Sequence, residues 1–210
     1  RELNDSRDEE SLRRPEPGSE LAIVYSGAGA DYRPDFLEKS PLGKVPCLET
    51  PEGCISESRC ILDYLERAYP STPLYPSSSF EIAKLLELTQ IIDLYLELAA
   101  RRLLPNYFAR KPAPDNIANE VRATLSKGAK AMAQLARFER FSAADIAAVI
   151  HVPVVRAVAS KVLELDPFVA IPGLQPYLER MEQRPTVQRI RADQTADRPA
   201  FLAHIQRPKP

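Results

Sequence analysis

The sequence predicts a mixed α/β region followed by an all-helical region. Residues 21–25, Leu-Ala-Ile-Val-Tyr, form a short apolar run typical of a strand, and residues 45–56 have the composition of a two-stranded hairpin. From residue 80 onward, apolar residues recur at the three- and four-residue spacing of helices. Strands early in the chain and helices late in it indicate two regions of different structural class.

A connector separates the two regions. Residues 71–79 show no periodicity and combine four serines with two prolines. We expect a first domain at residues 1–70, a linker at 71–79 and an all-α domain at 80–210. A chain of 210 residues is long enough for one large or two small domains.

A proline interrupts the first strand of the predicted hairpin. Val45, Cys47 and Leu48 have strand character, but Pro46 has no N–H to donate to a neighbouring strand. The backbone groups of such a strand normally form hydrogen bonds with a partner that is not a neighbouring strand. Residues 50–53, Thr-Pro-Glu-Gly, then predict a turn, after which the chain returns as a second strand.

An acid–serine pair opens the helix that follows the hairpin. Glu57 and Ser58 precede an apolar run with helical spacing: Ile61, Leu62, Leu65 and Ala68. The N–H groups at a helix N-terminus suit a carboxylate, and the charge of Glu57 suits an ammonium group. Together with the unpaired backbone at Pro46, this pattern predicts a site for a small peptide with a free α-amino-acid end.

The second region predicts a helix over residues 80–104 that is apolar around most of its circumference. We therefore expect this helix to be largely buried or flanked on two sides. A second helix is predicted over residues 117–135, and Pro172 and Pro185 each fit the first turn of a later helix.

Ser142 and Asp145 have the spacing of a capping box at the start of another helix. Small side chains make the beginning of that helix thin enough for central packing: Ala143, Ala144, Ala147 and Ala148. Such a cap contributes about 0.5–2 kcal/mol. We interpret this motif as a folding element and not as a binding site.

Composition excludes several classes of function. A net charge of −1 argues against nucleic acid or an anionic membrane as the main partner. No apolar run approaches the roughly 20 residues of a membrane span, and no secretory signal leads the sequence. We therefore expect a cytoplasmic globular enzyme.

The cysteines and histidines give no sign of metal binding or nucleophilic catalysis. The three cysteines, Cys47, Cys54 and Cys60, lack metal-ligand spacing, so we expect no metal, a reducing compartment and packing roles for all three. His151 lies in an apolar helical run and is predicted to be a satisfied core residue. No motif supports pairing of a serine with His151 or His204 for hydrolysis.

Two motifs of the first region resemble those of the cytosolic glutathione transferase family, in its serine-type, bacterial- or fungal-like form. Residues 41–46, Pro-Leu-Gly-Lys-Val-Pro, resemble the family's cis-proline strand, and residues 56–62 resemble its Glu-Ser helix start. The capping box and residues 179–187 are also similar to family features, so the resemblance covers about residues 21–191. It implies a thioredoxin-like N-terminal domain followed by an all-α helical-bundle domain.

The resemblance also implies a glutathione site. Val45 would hydrogen-bond the cysteinyl backbone of glutathione, and Pro46 would be cis. Glu57 and Ser58 would hold the γ-glutamyl group, and Lys44 would approach the glycyl carboxylate.

The catalytic residue falls where the resemblance weakens. Residues 3–7 are similar to the end of the first strand in serine-type members, which makes Ser6 the catalytic candidate and Ser11 the reserve. Residues 9–18 contain two prolines and a glycine and do not predict the helix that the family has there. Residues 135–141 are also shorter than the family's usual loop. The alternative that Ser6 is an ordinary turn residue therefore stays open.

The implied chemistry is activation of the glutathione thiol. Its pKa should lie near that of a free cysteine, about 8.5, and lowering it by two units requires about 2.7 kcal/mol. A hydrogen bond donated by the Ser6 hydroxyl to the sulfur would favour the thiolate, which attacks an electrophilic carbon or a hydroperoxide oxygen. An electrophile would lie against Tyr95, Tyr107 and Phe108, with Leu103, although such side chains also occur as ordinary core.

Two other classes of function stay open. The chain could be a non-catalytic scaffold of this fold that serves translation or transcription. A thiol–disulfide enzyme would need a cysteine in place of Ser6, and no cysteine precedes Cys47. Family likeness further implies detoxification by a homodimer, with residues 57–69 and the helix from Phe80 as the contact.

Overall fold

The computed structural model describes residues 34–70, 73–138 and 141–205. Contacts between Cα atoms divide the chain into two compact units, one formed by residues 1–72 and 182–210 and the other by residues 73–181. The sequence placed residues 182–210 with the second domain instead. The division into domains at 1–70 and 80–210 stays a prediction.

The first unit contains one hairpin and three helices in its described part. These elements are α1 (Pro34–Lys39), β1 (Cys47–Thr50), β2 (Gly53–Ser56), α2 (Ser58–Ala68) and α9 (Pro185–Ile205). The two strands are antiparallel, with Cys47 opposite Ser56 and Thr50 opposite Gly53, which confirms the predicted hairpin. A small apolar cluster holds α1, β1 and α2 together: Phe36, Cys47, Ile61 and Leu65.

The side chain of Thr50 holds the hairpin turn. Its Oγ1 accepts a hydrogen bond from the N–H of Glu52 at 3.2 Å and donates one to the carbonyl of Gly53 at 2.9 Å. Because a hydroxyl can both donate and accept, one side chain satisfies two backbone groups of the turn. Pro51 fits the same turn because the chain needs no N–H from it there.

The second unit is helical throughout its described part. It contains α3 (Ser79–Ile91), a π-helical segment (Ile92–Glu97), α4 (Leu98–Arg101), α5 (Leu104–Ala109), α6 (Asp115–Leu135), α7 (Ala143–Leu163) and α8 (Leu174–Glu182). The π-helical segment and α3 contact each other, and both contact α6 and α7 around the main core.

The predicted helix over residues 80–104 is thus interrupted. The π-helical segment lies within it. The expectation of a largely buried helix is wrong for one face, and flanking on two sides stays a prediction. Ile92 and Leu96 are buried, whereas Leu94 and Leu98 are 49 % and 50 % exposed. The sequence correctly indicates apolar side chains on both faces of the helix, but the core covers only one of these faces.

Helix α7 is the centre of this unit. It begins with the predicted capping box, in which Ser142 and Asp145 bond each other's backbone, and its alanines at 143, 144, 147 and 148 are all buried. Among the described helices, α7 alone is long and apolar enough to cross a membrane, and 56 % of its apolar window is buried inside the protein. This burial is typical of the core helix of a globular protein.

The two later prolines behave differently. Pro185 is the first residue of α9, as predicted, because its missing N–H costs nothing in a first helical turn. Pro172 lies two residues before α8, which begins at Leu174 after Gly173. Gly173 has φ +78°, a left-handed conformation that suits glycine. The expectation that Pro172 starts a helix is therefore wrong.

Candidate functional site

The peptide bond between Val45 and Pro46 is cis, as expected. Pro46 is buried, Val45 is half-buried, and strand β1 begins only at Cys47. Regular pairing therefore starts one residue after the proline, where the chain again has N–H groups to donate.

Glu57 lies in an unusual backbone conformation between β2 and α2. Its φ is +71° and its ψ is +118°, and its side chain makes no capping hydrogen bond to the helix. Its carbonyl accepts the N–H of Ile61 at 3.1 Å, so the first turn of α2 forms directly after it. Non-glycine residues in such conformations cost about 1–3 kcal/mol and cluster at functional sites.

The hairpin register brings the two sequence motifs together. Because Cys47 pairs with Ser56, the next residue outward on each strand, Pro46 on one and Glu57 on the other, leaves the hairpin at the same end. The side chains of Lys44 and Glu57 are exposed there, and Ser58 begins α2. One end of the hairpin thus presents an exposed cation, an exposed carboxylate and a helix N-terminus.

The catalytic candidate cannot be located in the same way. Ser6 and Ser11 lie outside the described residues, as do the predicted strand at 21–25 and the proline-containing stretch at 9–18. The short loop at 135–141 lies partly outside them. The roles of Ser6 and Ser11 stay predictions.

Two of the three predicted wall residues are half exposed. Tyr95 is 50 % exposed and Phe108 is 48 % exposed, while Tyr107 packs partly against the core. The rings of Tyr107 and Phe108 meet edge to face, with 5.4 Å between their centroids. Leu103 is 0 % exposed, so it belongs to the core and cannot line a wall, contrary to expectation.

The cysteines divide into one buried and two exposed side chains. Cys47 is buried and its Sγ donates to the carbonyl of Lys39 at 3.4 Å. Burial, followed by electrostatic repulsion from the Cys54 sulfur, raises the pKa of Cys47 to about 11, so it is a poor nucleophile. Cys54 and Cys60 are exposed, so the prediction of packing roles for these two is wrong.

His151 is half-buried and not fully enclosed by the core. Its Nε2 lies 3.6 Å from Oδ1 of Asp93, and the two side chains are 27 % and 35 % exposed. The expectation of a core residue is therefore wrong, since the side chain is half-buried and lies beside a carboxylate of the π-helical segment. The side chain of His204 lies outside the described residues.

Asp145 forms a second polar cluster, at the start of α7. Its Oδ2 accepts hydrogen bonds from the N–H of Ser142 at 2.6 Å and from Ser142 Oγ at 2.5 Å. Its Oδ1 accepts a hydrogen bond from the hydroxyl of Tyr177. Asp145 is only 6 % exposed. Burial raises its pKa despite these hydrogen bonds, which act in the opposite direction. Every oxygen of this carboxylate is occupied inside the protein, so the cluster is structural.

Sequence reasoning missed one buried polar residue beside the hairpin. Ser40 follows α1 and is fully buried, and its Oγ bonds both backbone groups of Lys44. A serine next to Pro41 gives no periodic signal, so only the structure reveals this contact. Within the described ranges, no group of three or more His, Cys, Asp or Glu side chains could hold a metal ion.

Comparison with known proteins points to one family. Residues 20–73 match the family model described as the N-terminal domain of glutathione S-transferase. A glutathione S-transferase of Pseudomonas putida is 37 % identical over 190 residues, which cover 88 % of this chain and 85 % of that protein.

A solved structure extends the similarity to the fold. The glutathione S-transferase of Methylobacterium radiotolerans, in complex with glutathione sulfonate, aligns with a TM-score of 0.65 at 23 % identity and covers 90 % of this chain and 91 % of that one. This likeness confirms the predicted fold class, a thioredoxin-like N-terminal domain followed by an all-α domain.

A shorter similarity concerns a protein of translation. Elongation factor 1-gamma 1 of Oryza sativa is 42 % identical over 64 residues, which are 30 % of this chain and 15 % of that protein. The match is confined to a domain-sized segment.

Proposed function

The chain belongs to the glutathione S-transferase family, and from that premise we propose that it joins the thiolate of glutathione to small hydrophobic electrophiles. The observation that carries this proposal is the hairpin end at which the cis-proline segment and Glu57 emerge together. The conformation of Glu57, with φ +71°, supports the same assignment, because strain of this kind is retained where it serves a ligand.

The exposed groups at this hairpin end match the parts of glutathione. The Glu57 carboxylate pairs with the α-ammonium of the γ-glutamyl group, while Ser58 and the N–H groups of α2 receive its α-carboxylate. The backbone of Val45 bonds the cysteinyl residue, and Lys44 attracts the glycyl carboxylate. Each exposed ion pair contributes little alone, about 0–1 kcal/mol, so affinity comes from all of these contacts acting on one ligand.

Ser6 is the proposed activator of the thiol. Its hydroxyl donates to the sulfur, which favours the thiolate and lowers the thiol pKa. The thiolate then forms a bond to an electrophilic carbon as the leaving group departs with its electron pair. With a hydroperoxide, the thiolate would attack an oxygen and release an alcohol, and a second glutathione would reduce the resulting sulfenic acid to the disulfide and water.

Tyr95, Tyr107 and Phe108 are the proposed apolar wall for the electrophile. The half-exposed rings of Tyr95 and Phe108 support this role, because they offer aromatic surface that the core does not use. Such a wall selects electrophiles by size and apolar character and discriminates weakly between close analogues. A role in detoxification in the cytoplasm would follow from this breadth.

We also propose that the enzyme acts as a homodimer through α2 and the helix that begins at α3. Phe80 is 74 % exposed at the start of this helix, and Leu94 and Leu98 expose apolar surface further along it. Exposed apolar side chains on one helix favour a protein partner. Light scattering of the purified protein tests this, and a monomeric mass at micromolar concentration would contradict it.

Calorimetry of glutathione binding tests the proposed site. We expect Glu57→Ala to weaken binding by about fivefold, near the upper end of what one exposed ion pair contributes, because the ligand's ammonium loses its partner. Glu52→Ala is the matched control: Glu52 is an exposed glutamate at the opposite end of the same hairpin, and its loss should leave affinity unchanged. Ser6→Ala should bind glutathione normally and lose turnover.

The main alternative is a non-catalytic scaffold, which the similarity to elongation factor 1-gamma favours. The same calorimetry separates the two functions. A parent chain that does not bind glutathione would contradict the transferase proposal and favour the scaffold. Equal losses in Glu57→Ala and Glu52→Ala would contradict the assignment of the ammonium site to Glu57.

A further inference from the structure

Ser40 directly follows the last residue of α1 and is enclosed by the protein. It is 0 % exposed, and its N–H donates to the carbonyl of Phe36 at 2.8 Å, which closes the last turn of the helix. Its carbonyl accepts the N–H of Gly43 at 2.8 Å, which forms a tight turn at residues 40–43. Gly43 has φ +62°, so the turn uses a conformation that glycine adopts without strain. Ser40 is thereby fixed relative to the segment that follows.

The hydroxyl of Ser40 holds both backbone groups of Lys44. Oγ donates to the Lys44 carbonyl at 2.7 Å and accepts the Lys44 N–H at 3.2 Å. The Lys44 carbonyl lies in the same planar peptide unit as the N–H of Val45, and in a trans unit the two groups point in opposite directions. Fixing the carbonyl toward the buried Ser40 therefore turns the N–H of Val45 away from it.

A second contact holds the other side of the cis peptide. The Sγ of Cys47 donates to the carbonyl of Lys39 at 3.4 Å, and Lys39 Nζ pairs with Glu49 Oε2 at 3.0 Å. The Lys39–Glu49 pair is exposed and contributes little. The end of α1 thus contacts the chain both before and after Val45 and Pro46, and the buried double hydrogen bond of Ser40 is the stronger of these contacts.

We propose that Ser40 is a positioning residue of the glutathione site, because it fixes the direction of the Val45 backbone that bonds the cysteinyl part of the peptide. Ser40 itself does not touch glutathione and acts through Lys44 and Val45. The proposal rests on the function proposed above. It adds the residue that keeps the binding backbone in one orientation before the ligand arrives, so that less conformational freedom is lost on binding.

The test compares Ser40→Ala with Thr50→Val. Thr50 is the matched control, because its hydroxyl makes the same pair of hydrogen bonds, one from an N–H and one to a carbonyl, at the opposite end of β1. Glutathione affinity is measured by calorimetry, and the KM values for glutathione and for 1-chloro-2,4-dinitrobenzene are measured separately. Hydrogen exchange of the peptide covering residues 41–47 is followed by mass spectrometry.

We expect Ser40→Ala to weaken glutathione binding and raise its KM by about tenfold, with the KM for the electrophile changed by less than about twofold. Exchange at residues 41–47 should rise. Ser40→Thr keeps the hydroxyl and should restore most of the affinity. Thr50→Val should leave affinity unchanged. If Ser40→Ala does not fold, Ser40→Cys replaces the hydroxyl with a thiol of similar size that forms weaker hydrogen bonds. This variant should show smaller changes of the same sign in glutathione affinity, KM and hydrogen exchange.

Two outcomes overturn the inference while the proposed function stands. In one, the parent binds glutathione and Ser40→Ala binds it equally well. In the other, Thr50→Val loses as much affinity as Ser40→Ala, which would make the effect a general loss of hairpin stability. A parent chain that does not bind glutathione overturns the proposed function, and the inference with it.

Discussion

Two helices of this protein begin with an acid and a serine, and the two starts are built in opposite ways. At α7, Ser142 and Asp145 bond each other, Tyr177 occupies the remaining carboxylate oxygen, and the acid is buried. At α2, Glu57 makes no capping bond, its side chain is exposed, and its backbone has φ +71°. An acid and a serine thus close one helix start and leave the other accessible.

The difference shows how a helix start becomes a binding site. The first N–H groups of a helix need partners, and a capping side chain supplies them permanently. Where no side-chain cap is made, a ligand carboxylate can take that place, and a nearby exposed acid can bind the ligand's ammonium group. The α7 start stabilises the fold, whereas the α2 start spends stability on a strained conformation and gains an accessible site.

The largest expected effect is on the closed start. Replacing Asp145 with alanine removes three hydrogen bonds and leaves the Ser142 N–H and the Tyr177 hydroxyl without their acceptor. We expect the free energy of unfolding to fall by about 2–4 kcal/mol. Urea denaturation followed by circular dichroism measures this.

The control for this change is Asp115→Ala in the first turn of α6, where the acid is exposed and the N-cap residue, Pro114, makes no side-chain cap. Its loss should cost less than about 1 kcal/mol. Equal losses at the two positions would remove the distinction between a closed helix start and an ordinary one.

Sequence signals located both helix starts because the signals are local. The capping box spans four residues, and the cis-proline strand and the Glu-Ser pair are each short runs with fixed spacing. Local spacing also placed the hairpin and helix α6. Whether a helix start is closed or accessible depends on contacts between residues far apart in the sequence. Tyr177, for example, bonds Asp145 from 32 positions along the chain.

The features that sequence reasoning missed share this origin. Ser40 gives no pattern, because its importance comes from a turn that folds Lys44 back onto it. Leu96 and Leu94 have the same apolar side chain, yet one is buried and the other half exposed, since packing covers only one face of the π-helical segment. A single sequence states which side chains are apolar but not which face finds a partner.

A smaller effect is expected when the strain at the open start is relieved. Glu57→Gly places at φ +71° the residue that adopts positive φ most easily. We expect the free energy of unfolding to rise by about 1 kcal/mol while glutathione affinity falls as in Glu57→Ala. Thermal unfolding and calorimetry on the same samples measure the two changes.

Glu164→Gly is the matched control for the strain, because Glu164 ends α7 with φ +56° and has no proposed role in binding. It should gain a similar stability and keep full glutathione affinity. If Glu57→Gly lost stability instead, its backbone conformation would not be a cost accepted for binding, and the contrast between the two helix starts would weaken.

The smallest effect concerns the pH dependence of the closed start. An aspartate titrates near 3.8 in the unfolded chain, and burial raises the pKa of Asp145 in the folded protein. Between those two values the folded state holds a proton that the unfolded state has released, so raising the pH through this window lowers the free energy of unfolding.

Asp145→Asn has no titrating group at this position. The stability of the parent relative to this variant should therefore be greatest below pH 3.8 and decrease as the pH rises through the folded pKa. Urea denaturation of both proteins between about pH 3 and pH 7 measures the difference. A difference that grew with pH would mean that the hydrogen bonds from Ser142 and Tyr177 outweigh burial, which would make the closed start a stabilised carboxylate and not a desolvated one.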